Sequence, residues 1–119
     1  DLYWPSLDLH IEVSGPMKWK RWPFNPWIGV HKFNWANRHI QSDNPPAWCI
    51  YVGLVWNRHK DEPYMNTIHM VSFRKIIHQR FPIKRISTGQ SFYEIPHYHN
   101  AIHTDWNMFK DFIKSIKNQ

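Results

Sequence analysis

The sequence predicts an α+β domain: an antiparallel sheet of about five strands with two helices packed on one of its faces. Two observations carry this expectation. Several short runs alternate apolar and polar residues, the period of a half-buried strand, while two other segments place apolar residues at helical spacing. From Ala47 onward the elements follow as strand, helix, strand, strand, helix, after one or two further strands. That order suits a sheet with its helices on one side and its other side open to a ligand. Residues 1–119 read as a single domain, because a chain of this length can enclose one real core but not two.

Taken in order, LDLHIEVS alternates strictly, with Leu7, Leu9, Ile11 and Val13 on one side and Asp8, His10, Glu12 and Ser14 on the other. That is a half-buried strand. SGPMKWKRWPFNP is turn and loop, its three prolines mixed with a basic-aromatic cluster. WIGVHKFNW is expected to add a second strand, and NRHIQSDNPPA returns to loop. AWCIYVGLVW is apolar on both faces and rich in β-formers, as a central strand is. After the loop NRHKDEPYMN the period changes near Asn66 or Thr67. Met70, Phe73, Ile76, Ile77 and Phe81 fall at helical spacing until Pro82 stops the run. Ile86, Thr88, Gln90 and Phe92 then alternate as a strand with a bulge at Gly89, and HYHNAIH alternates again. TDWNMFKDFIKSIKNQ closes the chain as a helix with Thr104 as its N-cap and Asp105 in the first turn. Its apolar stripe is Phe109, Phe112, Ile113 and Ile116, and its lysines favour the C-terminal end.

Charge and composition narrow the classes of function. A net charge of +6, spread along the chain and interleaved with aromatic residues, is compatible with a polyanion partner. The plainer alternative is a soluble basic protein with solvated faces. Aromatic residues make up 17% of the chain, so a few large side chains can supply much of the burial. No apolar run approaches the ~20 residues of a membrane span, and the opening DLYWPSLDLH is unlike a secretory signal. The single Cys49 excludes an internal disulfide and sits in an apolar strand, where a small buried hydrophobe is its expected role. An intracellular, reducing compartment is the default.

The densest chemistry lies in YEIPHYHNAIH, residues 93–103. As a strand, this run sends Tyr98, Asn100 and Ile102 one way and His97, His99, Ala101 and His103 the other. Ile102 gives the first set to the core, so His97 and His99 are expected together on the open face. Two imidazoles two residues apart on one strand can both reach one metal ion. The competing reading is a pair of exposed histidines with no ligand.

Together with the elements around it, PHYHNAI resembles the metal-binding strand of the HUH endonucleases, the rolling-circle replication initiator (Rep) superfamily. The resemblance covers roughly residues 47–119. Within that group the very small Rep proteins of rod-shaped archaeal viruses (rudiviruses) match best in size and in having one helix after the metal strand. The resemblance implies a ferredoxin- or RRM-like nuclease fold. It also implies an enzyme that nicks single-stranded DNA with a tyrosine hydroxyl and stays joined to the 5′-phosphate. The freed 3′-OH would prime replication of viral or plasmid DNA in the host cell cytoplasm. A divalent ion, Mn²⁺ or Mg²⁺, would polarise the phosphate. The resemblance gives it to His97 and His99, with Glu94 or Gln90 as the third ligand.

The nucleophile departs from the family's pattern. No Tyr follows Tyr98, and the last helix offers Phe109 where a tyrosine is implied, so the chain reads as an inactivated Tyr-to-Phe variant. The alternative is that Phe109, on an apolar stripe, is core. Lys110 and Lys114 flank it and could steady a phenolate or grip a phosphate, unless they are an ordinary solvated helix face. Trp22 and Arg21, with Trp19, could stack on and hold unpaired bases, and Arg58, Lys84 and Arg85 could carry phosphates. A chain with one short helix after the metal strand lacks reach, so a homodimer is allowed for. The alternative function is a basic, non-catalytic module that binds single-stranded nucleic acid and tolerates chelation.

Overall fold

The computed structural model describes residues 2–19 and 22–118, and among these all side chains except those at 16–19, 65 and 66. Among the described residues the order is β1 (Leu2–Trp4), β2 (Leu9–Trp19), β3 (Trp27–Gly29), α1 (Val30–Ile40), β4 (Trp48–Asn57) and β5 (Glu62–Ser72). Then come α2 (Phe73–Ile76), β6 (Ile83–Arg85), β7 (Ser91–Glu94), β8 (Ile102–Asp105) and α3 (Trp106–Lys117). The class is α+β, as expected. None of these helices is long and apolar enough to cross a membrane.

Five strands form the main sheet in the order β1-β2-β4-β5-β8, and three form a smaller sheet in the order β3-β7-β6. Pairing is antiparallel throughout except between β2 and β4, which run parallel where the sequence suggested an all-antiparallel sheet. Parallel neighbours need a crossover instead of a hairpin, and β3 with α1 supplies it.

Alternation along β2, β4 and β5 sorts the core onto two faces. Ile11 lies beside Ile50, and Val52 lies beside Met70. These residues form one apolar cluster with Leu9, Ile68 and Ile116, and Phe109, Phe112 and Ile113 of α3 pack against it. The other face carries Cys49, Tyr51 and Val71, packed with Ile28, Phe33, Phe73, Ile76 and Ile95 from α1, α2 and the smaller sheet. Helices therefore cover both faces, and the expected open face is absent. The reason lies in β4, where residues Cys49 to Val52 are all buried and need cover above and below.

Local assignments differ in several places. β2 continues through Trp19, so residues 14–19, read as turn and loop, are strand, and α1 extends through Ile40 into the run NRHI, also read as loop. Residues 62–72 are strand, and helix α2 is confined to Phe73–Ile76. Ile68 and Met70 enter one cluster and Val71 the other, and a strand buried on both faces leaves apolar spacings that also fit a helix. Only Trp27–Gly29 of the expected second strand is extended, because α1 begins at Val30. Residues 83–94 form a hairpin in place of a bulged strand. Its turn holds Gly89 at φ 88, a backbone shape that favours glycine, with the Gly89 N–H donating to the Ile86 carbonyl at 2.9 Å. At α3 the cap is Asp105, not Thr104, since Asp105 Oδ1 accepts the Asn107 N–H at 2.7 Å.

A tight approach in β4 yields a stability prediction. Gly53 pairs in register with His69, and a Cβ there would stand 2.8 Å from the Tyr51 hydroxyl. Tyr51 is fully buried, so its ring has little room to move aside. Gly53→Ala is expected to cost about 1–3 kcal/mol by overpacking, read as a lower urea midpoint. An unchanged midpoint would mean that the ring yields freely.

Candidate functional site

The segment carrying His97 and His99 curls where a strand was expected. Pro96 follows the end of β7, the His99 N–H donates to the Pro96 carbonyl at 2.9 Å, and the Ile102 N–H donates to the His99 carbonyl at 3.0 Å. Strand parity therefore does not align the two rings. Each has its own partner. The His97 N–H donates to Asn25 Oδ1 at 2.8 Å, and its ring Nδ1 lies 2.9 Å from the same oxygen. Asn25 Nδ2 donates to Glu94 Oε1 at 2.9 Å, which makes Oδ1 the acceptor for both His97 groups. His97 Nδ1 consequently bears the proton, and Nε2 presents a lone pair.

His99 is held the other way round. Its Nδ1 accepts the Ala101 N–H at 3.0 Å, so Nε2 carries the proton and donates to Gln79 Oε1 at 2.7 Å. Both nitrogens are engaged within the protein, leaving no lone pair for a metal. Glu94 spends its carboxylate on Asn25 and on Lys84, whose Nζ is 3.6 Å away. Gln90 stands at the hairpin turn, four residues from Glu94, a span of ~13 Å along an extended chain. The ligand set expected from the resemblance therefore does not assemble. Among the described residues no group of three or more His, Cys, Asp and Glu could share an ion.

Phe109 is also elsewhere. It packs in the cluster under α3, its ring 5.7 Å from that of Trp106, while Lys110 and Lys114 are exposed on the same helix. His97 lies between Ile95 and Ala101, which belong to the opposite face. Phe109 belongs to the apolar stripe that forms the core face of α3. Tyr98, which strand parity would turn away, is 80% exposed with its ring 5.4 Å from that of His97.

Sequence reasoning missed His69, which sits in the run read as a helix. In β5 it is 2% exposed, with Trp22 at 5.2 Å and Phe24 edge-on at 4.9 Å. Burial lowers its pKa to about 4; a hydrogen bond to the Phe24 backbone opposes that shift and nearby His97 adds to it. A bond that favours the protonated ring is one in which the ring donates, so Nδ1–H meets the Phe24 carbonyl. The other nitrogen, Nε2, is buried with no hydrogen-bond partner. The one available signal was alternation in Thr67, His69 and Val71, which puts His69 on the Val71 side.

The residues expected to touch nucleic acid are dispersed. Arg21 lies outside the described residues, as does the Trp19 side chain. Trp22 contacts Phe24, Tyr64 and His69, with ring centroids 5.2–6.0 Å apart, so it covers His69 and is no free stacking platform. Arg58 is exposed in the turn joining β4 to β5. Lys84 and Arg85 stand on β6, the edge strand of the smaller sheet, and all of β6 is exposed. Set against family models, curated proteins and solved structures, the chain matches none.

The strand β6 adjoins a cavity of about 370 Å³ lined by residues that include Asn34, Asn37, Gln79, Arg80, Phe81 and Tyr93. No Asp or Glu occurs between Pro63 and Tyr93, so Arg80, Lys84 and Arg85 meet a single nearby carboxylate in sequence, Glu94. Ile83, at 60% exposure, adds apolar surface among these charges.

Proposed function

We propose that this chain binds single-stranded nucleic acid along β6 and the cavity beside it. The observation that carries the reading is the exposed, acid-free basic run at 80–85 next to a concave site lined by amides and aromatic rings. Arginine and lysine neutralise phosphates, and amide side chains hydrogen-bond the edges of unpaired bases. Phe81 and Tyr93 add the flat apolar surface on which a base can rest. A duplex hides those base edges, so a single strand fits this surface better.

Strand cleavage would ask for a hydroxyl and a metal on one face. Phe109 packs on Trp106 in the cluster under α3, whereas His97 is tied to Asn25, which favours binding without nicking. The test is fluorescence anisotropy with a labelled single-stranded DNA oligonucleotide at rising salt, with and without chelator. Binding should weaken steeply, by about 0.7 in the log–log slope per phosphate neutralised. Chelation should leave it unchanged, and a duplex of equal length should bind more weakly. No binding at low salt, or a flat salt response, would refute the reading.

A further inference from the structure

We propose that the cavity between α3 and the main sheet binds a small carboxylic acid with an apolar tail, taken up as its anion. The cavity holds about 240 Å³, the space of about eight water molecules, which suits a ligand of roughly ten non-hydrogen atoms. Strand pairing builds its floor. Ile50 of β4 is in register with Ser72 of β5, and Met70 of β5 is in register with His103 of β8. Residues two apart share a face, so Trp48 joins Ile50, and Ser72 joins Met70, on the side that α3 covers. Phe112 of α3 closes the space from above, its ring edge-on to that of Trp48 at 5.4 Å.

Set into these apolar walls are three polar side chains that the protein leaves unused. Among the described residues the Ser72 hydroxyl, the His103 ring and the Lys75 ammonium have no hydrogen-bond or ion-pair partner, and all three line the cavity. No carboxylate lines it among the described residues, so the Lys75 charge has no counter-ion there. A ligand carboxylate supplies one negative charge against that one ammonium, and acceptor oxygens for the hydroxyl and a ring N–H. A phosphate would bring further charge with nothing to balance it. Ile50 and Met70 are buried whereas Lys75 is exposed, so the tail points inward and the charged head stays at the mouth. The tail exchanges water for contact with Trp48, Ile50, Met70 and Phe112. The site shares no residue with β6 or the cavity beside it, so this proposal and the nucleic-acid reading fail independently.

The test is calorimetric titration of the full chain with sodium octanoate, and separately with octylamine and 1-octanol, at neutral pH. One octanoate per chain is expected, and octylamine should bind more weakly by about tenfold. Lys75→Met keeps the apolar stem and removes the charge. It should lower octanoate affinity by about tenfold and leave that for 1-octanol unchanged. Ser72→Leu fills the space and should abolish binding of both. Because Ser72 stands in β5, Lys75→Met at its exposed position decides the matter if Ser72→Leu does not fold. In proton NMR the His103 ring signals should move on adding octanoate, while those of His99, bonded to Gln79, stay in place. Absence of octanoate binding, octylamine binding as tightly, or shifts at His99 in place of His103 would overturn the proposal. So would octanoate affinity unchanged by Lys75→Met, or an equal loss for 1-octanol.

Discussion

Replacing Arg80, Lys84 and Arg85 together by glutamine is expected to weaken single-stranded DNA binding by about a hundredfold at 0.1 M salt. Each phosphate neutralised on a single strand contributes about 0.7 to the log–log salt slope, so three lost contacts flatten it by about 2. Folding should be untouched, because none of these side chains is in the core. Lys84 loses only a 3.6 Å pairing with Glu94, at about half exposure, and Arg85 a 3.4 Å bond to Ser91. Exposed contacts of that kind are worth about 1 kcal/mol or less. A matched control removes Lys110, Lys114 and Lys117 from α3, which covers the other face of the main sheet. If the α3 triple weakens binding as much as the β6 triple, affinity follows net charge and β6 is not the contact surface.

What could be read from the sequence follows how local the determining interactions are. The strict alternation of β2, the doubly apolar β4 and the stripe of α3 were legible, since each pattern is complete within about ten residues. The strand β5 was not. Burial of Ile68, Met70 and Val71 on both faces hid its alternation, and Phe73 and Ile76 of the short helix α2 lent a helical spacing to the strand before it. His97 stood out as a residue, but its neighbour His99 was the wrong partner for it. The turn at Pro96 separates their rings, and the group that orients His97 is Asn25, 72 positions away. His69 reaches the same dipeptide from β5. No periodicity records such long-range meetings. They come from the packing of the loop before β3 against β5, a tertiary event.

His69 is expected to remove about 3 kcal/mol of stability as pH falls from 6.5 to about 4. In the unfolded chain an imidazole takes up its proton near 6.5, whereas the buried ring does so only near 4. Between those values the unfolded state holds a proton that the native state lacks, so acid pulls the equilibrium toward unfolding. Above 6.5 neither state is protonated, and below about 4 both are, so the loss is confined to that window. Burial also holds His10 below its ordinary value, which adds a loss of the same sign. The measurement is urea unfolding at stepped pH, comparing the parent with His69→Asn, whose amide can still donate to the Phe24 carbonyl. The variant should lose much less stability than the parent across the window. Equal losses would mean that the His69 ring protonates freely in the folded chain. Its Nε2 would then be reached by water, and the closed aromatic wall of Trp22 and Phe24 would not seal it.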